Sequence, residues 1–398
     1  MFQLLLFHLA LLPALWPFAT AQSAGTPRAC NNSPSLCARP YSNITHLGAH
    51  NSPFVRDAST SYSPAGNQHY NTTVQLDAGV RLVSAQVHLA RDAATNAPEW
   101  HLCHTSCALL DAGPLAAWLR AIAAWLDAHP ADVVTLLLVN TNATAADLAA
   151  AFDGAGLARL AYAPAAPPAA WPALGALVDA GTRLVAFVAG LPGAGPGAEA
   201  RPPYLLDEFA LAFENAYGGA AGAGASCAPD RPAALAGAPA AAAASGRLFL
   251  QNHFFGRATG IAGVEVPDEA AAGATNAFEP GRGGLGDAAR TCQGVYERAP
   301  NFLLVDWFEA GPAVRTVDAL NGVTDVVGRR DVGARAVEEG GSAGASGQSD
   351  ESGAGSASST SSGSGNGGSV SKGAVSRKKS TVALTVGVTF GVAVLGGW

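Results

Sequence analysis

The sequence predicts an α/β chain whose folded part is one barrel of parallel strands and covering helices. Three observations lead there. Short apolar runs recur along the chain, helical segments separate them, and residues 22–335 are free of the low-complexity sequence that follows. The runs carry no polar alternation, so they read as strands covered on both faces. One large domain fits this span.

Residues 44–49 form a short strand that ends in Gly48-Ala49-His50. Residues 80–89 form a longer, mainly apolar strand. Residues 113–128 read as an amphipathic helix, with Leu115, Leu119, Ile122 and Leu126 at helical spacing. In the strand 133–139, Thr135 is the one polar residue. Residues 144–151 return to helix, and 184–189, 248–251 and 302–305 are further apolar strands. Residues 205–216 read as a helix with Glu208 and Glu214 on a solvated face. Residues 190–203 and most of 218–246 read as loop, and no internal repeat is visible. Chemistry in such a barrel sits at the C-terminal strand ends. That rule nominates His50 and Asn51, then Ser84, Gln86 and His88, then His104, Asn140, Asn252, His253, and Asp306 with Trp307.

Charged residues make up 13% of the chain and the net charge is −7, which argues against a nucleic-acid partner. The first apolar run and the Ala19-Thr20-Ala21 site mark residues 1–21 as a secretory signal peptide. Residues 336–380 are a Gly/Ser-rich stalk too poor in apolar side chains to fold, and are expected to be disordered. Residues 381–398 are an uncharged apolar tail. Basic residues precede the tail and none follows it, and Asn366-Gly367-Gly368 lies at the distance of a glycolipid attachment site. A GPI-anchor signal is therefore expected there, with a membrane-spanning segment as the alternative. The destination is extracellular, at the cell surface or membrane-anchored.

Six cysteines in an exported chain point to disulfides. Close spacing favours Cys30–Cys37 and Cys103–Cys107, which leaves Cys227–Cys292. A zinc site from His101, Cys103, His104 and Cys107 is disfavoured, because on a strand His104 points away from the face of His101 and Cys103. Glycosylation sequons stand at Asn31, Asn43, Asn71 and Asn142.

Leu47-Gly48-Ala49-His50-Asn51-Ser52 resembles the entry motif of the phosphatidylinositol-specific phospholipase C superfamily, a first strand ending in a Gly/Ser-x-His-Asp/Asn-Ser/Thr turn. Leu102-Cys103-His104-Thr105 resembles the second histidine motif, and Leu303-Leu304-Val305-Asp306-Trp307-Phe308 the acidic last strand. With Gln75-Leu76-Asp77-Ala78-Gly79-Val80-Arg81 and Leu136-Leu137-Leu138-Val139-Asn140, the chain from about residue 30 to 325 looks like the secreted fungal branch of these PLC-like phosphodiesterases. The resemblance implies an irregular TIM-type barrel with two histidines facing across its mouth. It implies His50 as general base toward a neighbouring substrate hydroxyl, His104 as general acid toward the leaving oxygen, and Asp306 as the carboxylate that orients His50. Asn51, Gln86, His88 and Trp307 are the candidate substrate-binding residues.

The departures fall on the second strand. Bacterial relatives place an Arg there and animal relatives a calcium site, whereas this chain has Ser84 and Gln86. Protonated His88 is a candidate substitute cation. No metal or other cofactor is therefore expected, and the expected partner is a phospholipid or inositol-phosphate substrate met by a monomer. Two other readings stay open. One is a catalytically degenerate, GPI-anchored surface protein on the same barrel. The other is a metal-dependent glycerophosphodiesterase, which would need an acidic pair where Ser84 and Gln86 stand.

Overall fold

A computed structural model describes residues 28–168, 170–191, 201–219, 226–259, 265–279 and 283–333. The signal, stalk and tail segments lie outside the described residues. Eight parallel strands build the sheet: β1 (His46–Ala49), β2 (Leu82–Arg91), β3 (Val134–Asn140), β4 (Leu184–Ala189), β5 (Leu205–Asp207), β6 (Ala212–Asn215), β7 (Leu248–Asn252) and β8 (Phe302–Val305). Their hydrogen-bonded order is β5-β4-β3-β2-β1-β8-β7-β6. Neighbours follow chain order around the curl, and β8 closes onto β1. Among the described residues no ladder joins β5 to β6, so the barrel is irregular.

The strands separate two cores by side-chain alternation. Leu82, Leu137, Phe187, Leu206, Leu250, Phe302 and Leu304 fill the interior. Leu47, Val83, Leu136, Leu138, Val188 and Leu303 point outward against the helices. Helix α1 (Thr72–Asp77) precedes β2, and α2 (Leu115–Ala128) precedes β3. Helix α2 buries Leu115, Leu119, Ile122 and Leu126, the stripe that predicted it. Gly48 is required by the interior: a Cβ there would meet Leu304 Cδ1 at 2.8 Å and Leu82 Cδ2 at 2.9 Å.

Residues 205–216 correct the sequence reading. They are strand β5, a single helical turn Glu208–Leu211, and strand β6. Glu208 and Glu214 are 2% and 3% exposed, so neither lies on a solvated face. The three disulfides have the expected partners, Cys30–Cys37, Cys103–Cys107 and Cys227–Cys292. Asn43, Asn71 and Asn142 are exposed, but Asn31 is buried and its Oδ1 accepts the Val133 N–H at 2.7 Å. The Asn31 sequon therefore has no access to a glycan in the folded protein.

An ion network ties the loop after β7 to the barrel. His69 Nδ1 meets Glu309 Oε1 at 2.6 Å, and His69 Nε2 meets Glu269 Oε1 at 2.6 Å. Arg56 pairs with the same Glu269. Burial alone would lower the His69 pKa, but the two carboxylates outweigh it and hold it above the ordinary value. A raised histidine pKa adds stability below the unfolded value of about 6.5, and the gain is lost as pH rises through the folded value. The gap in Tm between the wild type and His69→Gln is thus expected to be larger at pH 6 than at pH 9. Thermal melts across that range check it, and a gap that widens with pH would contradict it.

Candidate active site

The register of β1 and β8 sets the first pair. Ala49 lies opposite Val305, so His50 and Asp306 are the next residues out of the ladder. Inward alternation from Gly48 and Leu304 aims both side chains into the mouth. His50 Nδ1 and Asp306 Oδ1 are 2.8 Å apart, and the residues are 4% and 6% exposed. Burial raises the Asp306 pKa, while His50 and the Asn67 amide pull it back only in part.

The turn after β1 is fixed by backbone bonds. The His50 N–H donates to Val305 O, and Ser52 Oγ donates to Ala49 O. Asn51 takes a left-handed φ of 50°, a conformation that asparagine tolerates better than most residues. Its N–H donates to Ser84 Oγ at 2.9 Å. Gln68 Nε2 bridges His50 O and Val305 O, clamping the ends of β1 and β8.

His104 arrives by a different route. The hairpin strand Pro98–Cys103 pairs antiparallel with the outer half of β2, matching Val87 with Leu102 and His88 with His101. This carries the chain back to the mouth, where the Cys103–Cys107 disulfide closes the loop around His104. Two further restraints hold it. The His104 N–H donates to Leu110 O, and the Thr105 N–H donates to Gln86 Oε1 at 2.8 Å. The His104 ring stands edge-on to Phe54, with centroids 5.4 Å apart. Burial, and then the charge of His50, push its pKa down to about 4. Through Thr105, Gln86 bonds the His104 loop to Asn51, the neighbour of His50.

The remaining candidates separate into supports and outliers. Gln86 Nε2 donates to Asn51 Oδ1 at 3.4 Å, and Asn51 Nδ2 donates to Asn67 Oδ1 at 3.2 Å. Asn51 and Gln86 therefore lie in the floor of the site, bonded to one another. His88 is half-buried on the outer part of β2, and burial lowers its pKa. That shift works against a standing positive charge there. Trp307 is 1% exposed and packs below the mouth near His69. Asn140 braces the β3 turn by donating to Ala143 O and Gly190 O. His253 Nε2 bonds Thr275 O, and burial pushes its pKa down to about 4. His101 pairs with Asp111 and Glu99. Cys103 and Cys107 are joined to each other, which removes their thiolates from the zinc alternative.

Three features were not legible in the sequence. Asn67, from the loop before α1, donates to Asp306 Oδ1 at 3.0 Å. Phe254, just past β7, stacks on the His50 ring with centroids 3.6 Å apart at 7°. The third is a carboxyl pair inside the barrel. Burial, and then Glu214, raise the Glu208 pKa well above the ordinary carboxyl value. Glu214 pairs with Arg231 and accepts from Asn252 Nδ2 at 3.0 Å. Glu208→Gln is expected to change the unfolding free energy by less than about 1 kcal/mol, since burial disfavours the charged carboxylate and Gln is neutral with the same shape. Glu214→Ala strips a buried carboxylate from Arg231 and is expected to cost about 3–5 kcal/mol. Urea unfolding of both variants checks the contrast.

The donors around Asn51 do not suit a calcium ion. Ser84 Oγ already accepts the Asn51 N–H, and Asn51 Oδ1 already accepts from Gln86. The carboxylate joined to this cluster, Asp306, is engaged by His50 and Asn67. Calcium takes six to eight oxygen ligands, usually with several carboxylates. At the far end of the barrel, a cavity of about 480 Å³ is lined by Asp77, Arg81, Trp125 and Arg330. Arg81 is tied there to Asp132 and Asn32, a structural role at the start of β2.

Comparison with known proteins places the chain. The family model described as PI-PLC X 1 matches residues 36–321. The PI-PLC X domain-containing protein 1 of Arthroderma benhamiae is 36% identical over 316 residues, covering 77% of this chain and 94% of that protein. A second protein of that fungus, named an uncharacterized secreted protein, is 34% identical over 290 residues, covering 71% of this chain and 61% of its own length. The solved structure of phosphatidylinositol-specific phospholipase C from Listeria monocytogenes aligns with a TM-score of 0.47 at 14% identity, over 72% of this chain and 95% of that one.

Proposed function

The chain belongs to the PI-PLC X family, and on that premise we propose that it is an extracellular phosphodiesterase of phospholipase C type. Its substrate is a phosphatidylinositol or an inositol-glycan phosphodiester. The observation that carries this reading is the buried His50–Asp306 pair, with the His104 loop joined through Gln86 to Asn51 beside it. Asp306 holds the His50 Nδ1 proton, which leaves Nε2 as the atom that can take a proton from the attacking hydroxyl. The hydroxyl oxygen then bonds to phosphorus, and the bond to the leaving oxygen breaks. His104 protonates that oxygen, so the diester becomes a cyclic phosphate and a free alcohol.

The signal peptide, the stalk and the lipid anchor would set this chemistry at the outer surface of the cell. The secreted relative is in keeping with export. The reading gives no step to a metal, because the donors around Asn51 are committed to one another. The same commitment of Ser84 and Gln86 favours the degenerate surface protein as the second reading.

The test is incubation of the purified protein with phosphatidylinositol vesicles, followed by phosphorus NMR, with and without EDTA. Cyclic inositol phosphate that forms in EDTA is the expected result. Product that disappears with EDTA would restore a metal-dependent reading. No product from phosphatidylinositol or inositol-glycan diesters would favour the degenerate one.

A further inference from the structure

Three buried side-chain amides link the two histidines. Each donates to the next in the same direction. The Thr105 N–H, beside His104, donates to Gln86 Oε1 at 2.8 Å. Gln86 Nε2 donates to Asn51 Oδ1 at 3.4 Å, Asn51 Nδ2 to Asn67 Oδ1 at 3.2 Å, and Asn67 Nδ2 to Asp306 Oδ1 at 3.0 Å. Asn67, Asn51 and Gln86 are 1%, 0% and 5% exposed, so water does not compete along the chain.

The direction has a physical cause. An amide can present either its oxygen or its NH₂ to a neighbour, whereas an ionised carboxylate accepts only. Asp306 therefore selects the NH₂ of Asn67, which turns the Asn67 oxygen toward Asn51. That selection repeats through Asn51 to Gln86, whose oxygen is left to receive Thr105. Aligned hydrogen bonds polarise one another, and a buried amide with the wrong end forward costs a full desolvation penalty.

We infer that Asn67, Asn51 and Gln86 are positioning residues through which the Asp306 carboxylate holds the loop that carries His104. The second strand, which has no cation in this chain, serves as the middle of that link. Asp306 then has two tasks, orienting His50 directly and anchoring the His104 loop at a distance. The link is a statement about structure, and its consequence for catalysis rests on the proposed two-histidine reaction.

Hydrogen exchange of the Thr105 amide tests the link without any substrate. In Asn67→Ala and in Asp306→Leu, which leaves no acceptor for Asn67, Thr105 is expected to exchange about five- to tenfold faster than in the wild type, the loss of one neutral hydrogen bond. The hydrogen bonds of Thr105 run to Gln86 and His104, not to either changed residue. Leu235→Ala is the control, because it weakens the separate core of Phe213, Phe249 and Tyr296 and should leave Thr105 unchanged. Should Asn67→Ala fail to fold, Asp306→Leu, similar in size and without hydrogen-bonding atoms, decides alone.

Unchanged exchange in a folded Asp306→Leu would overturn the inference. So would equal acceleration in Leu235→Ala, which would mark a general loosening. A Thr105 response in a protein that makes no cyclic phosphate would keep the link and reject the proposed reaction. A second readout follows from that reaction. Asn67→Ala should lower kcat far more than it raises KM, because Asn67 positions catalytic groups through Asp306 and the His104 loop.

Discussion

Asp306→Asn is expected to lower kcat/KM by on the order of 10³–10⁴ while the protein stays folded. In the proposed reaction the carboxylate stabilises the imidazolium that forms when His50 takes the hydroxyl proton, and a neutral amide cannot. An Asn could also turn its NH₂ toward His50 Nδ1 and select the wrong tautomer. The same change should preserve or raise Tm at neutral pH. Burial holds the Asp306 pKa above the ordinary carboxylate range, ahead of the opposing pull from His50 and Asn67. A raised carboxyl pKa means that the fold is helped below the unfolded value of about 3.9, and that this help is lost as pH rises through the folded value. Asn carries no such dependence. Steady-state kinetics with thermal melts from pH 5 to 8 check both halves. A loss of activity below tenfold, or one that comes with unfolding, would contradict the role.

His104→Ala is expected to cost on the order of 10²–10⁴ in kcat with a lipid leaving group. The penalty should shrink sharply for an inositol phosphodiester of nitrophenol, whose leaving oxygen needs little protonation. His50→Ala should be as damaging with either substrate, because both need the attacking hydroxyl deprotonated. The pKa of about 4 sharpens the point. In the free protein at pH 7, a pKa this low leaves His104 mostly without the proton that a general acid must deliver. In the proposed reaction the phosphate anion of the bound substrate supplies the missing bias, since an opposite charge within a few ångström favours the imidazolium. Histidine NMR should find the His104 pKa higher in His50→Ala, where one of the charges that lowers it is gone. Equal penalties on both substrates for both variants would remove the distinction between acid and base.

The chemistry was more legible than the framework. His50, Asp306 and His104 stand in local strings whose order along the chain is informative, and β1 and β8 are apolar enough to show as strands. Strands β5 and β6 were hidden, being three and four residues long. Leu205, Phe209 and Phe213 recur at helical spacing across them, and segments this short cannot display a period of two. Glu208 and Glu214 were misread with them, because burial inside a barrel leaves no local mark on a glutamate. Asn67 could not be found by motif. It is one asparagine in a polar loop, and its role comes from the fold of that loop beneath the β8 end, where the Trp307 N–H donates to Asn67 O. Phe254 is similar: an aromatic residue after β7 was visible, but its stacking on His50 depends on the path of the loop.

The central claim is that His50 and His104 act in one reaction step, and a double-variant cycle measures it most directly. Rates of cyclic inositol phosphate formation would be compared for the wild type, His50→Ala, His104→Ala and the double variant. Groups that act as a unit are strongly non-additive, so either single change should remove most of what the pair provides. The double variant is expected to be no more than a few-fold slower than the slower single one. Losses that multiply in the double variant, or single variants that retain wild-type rates, would contradict the two-histidine mechanism.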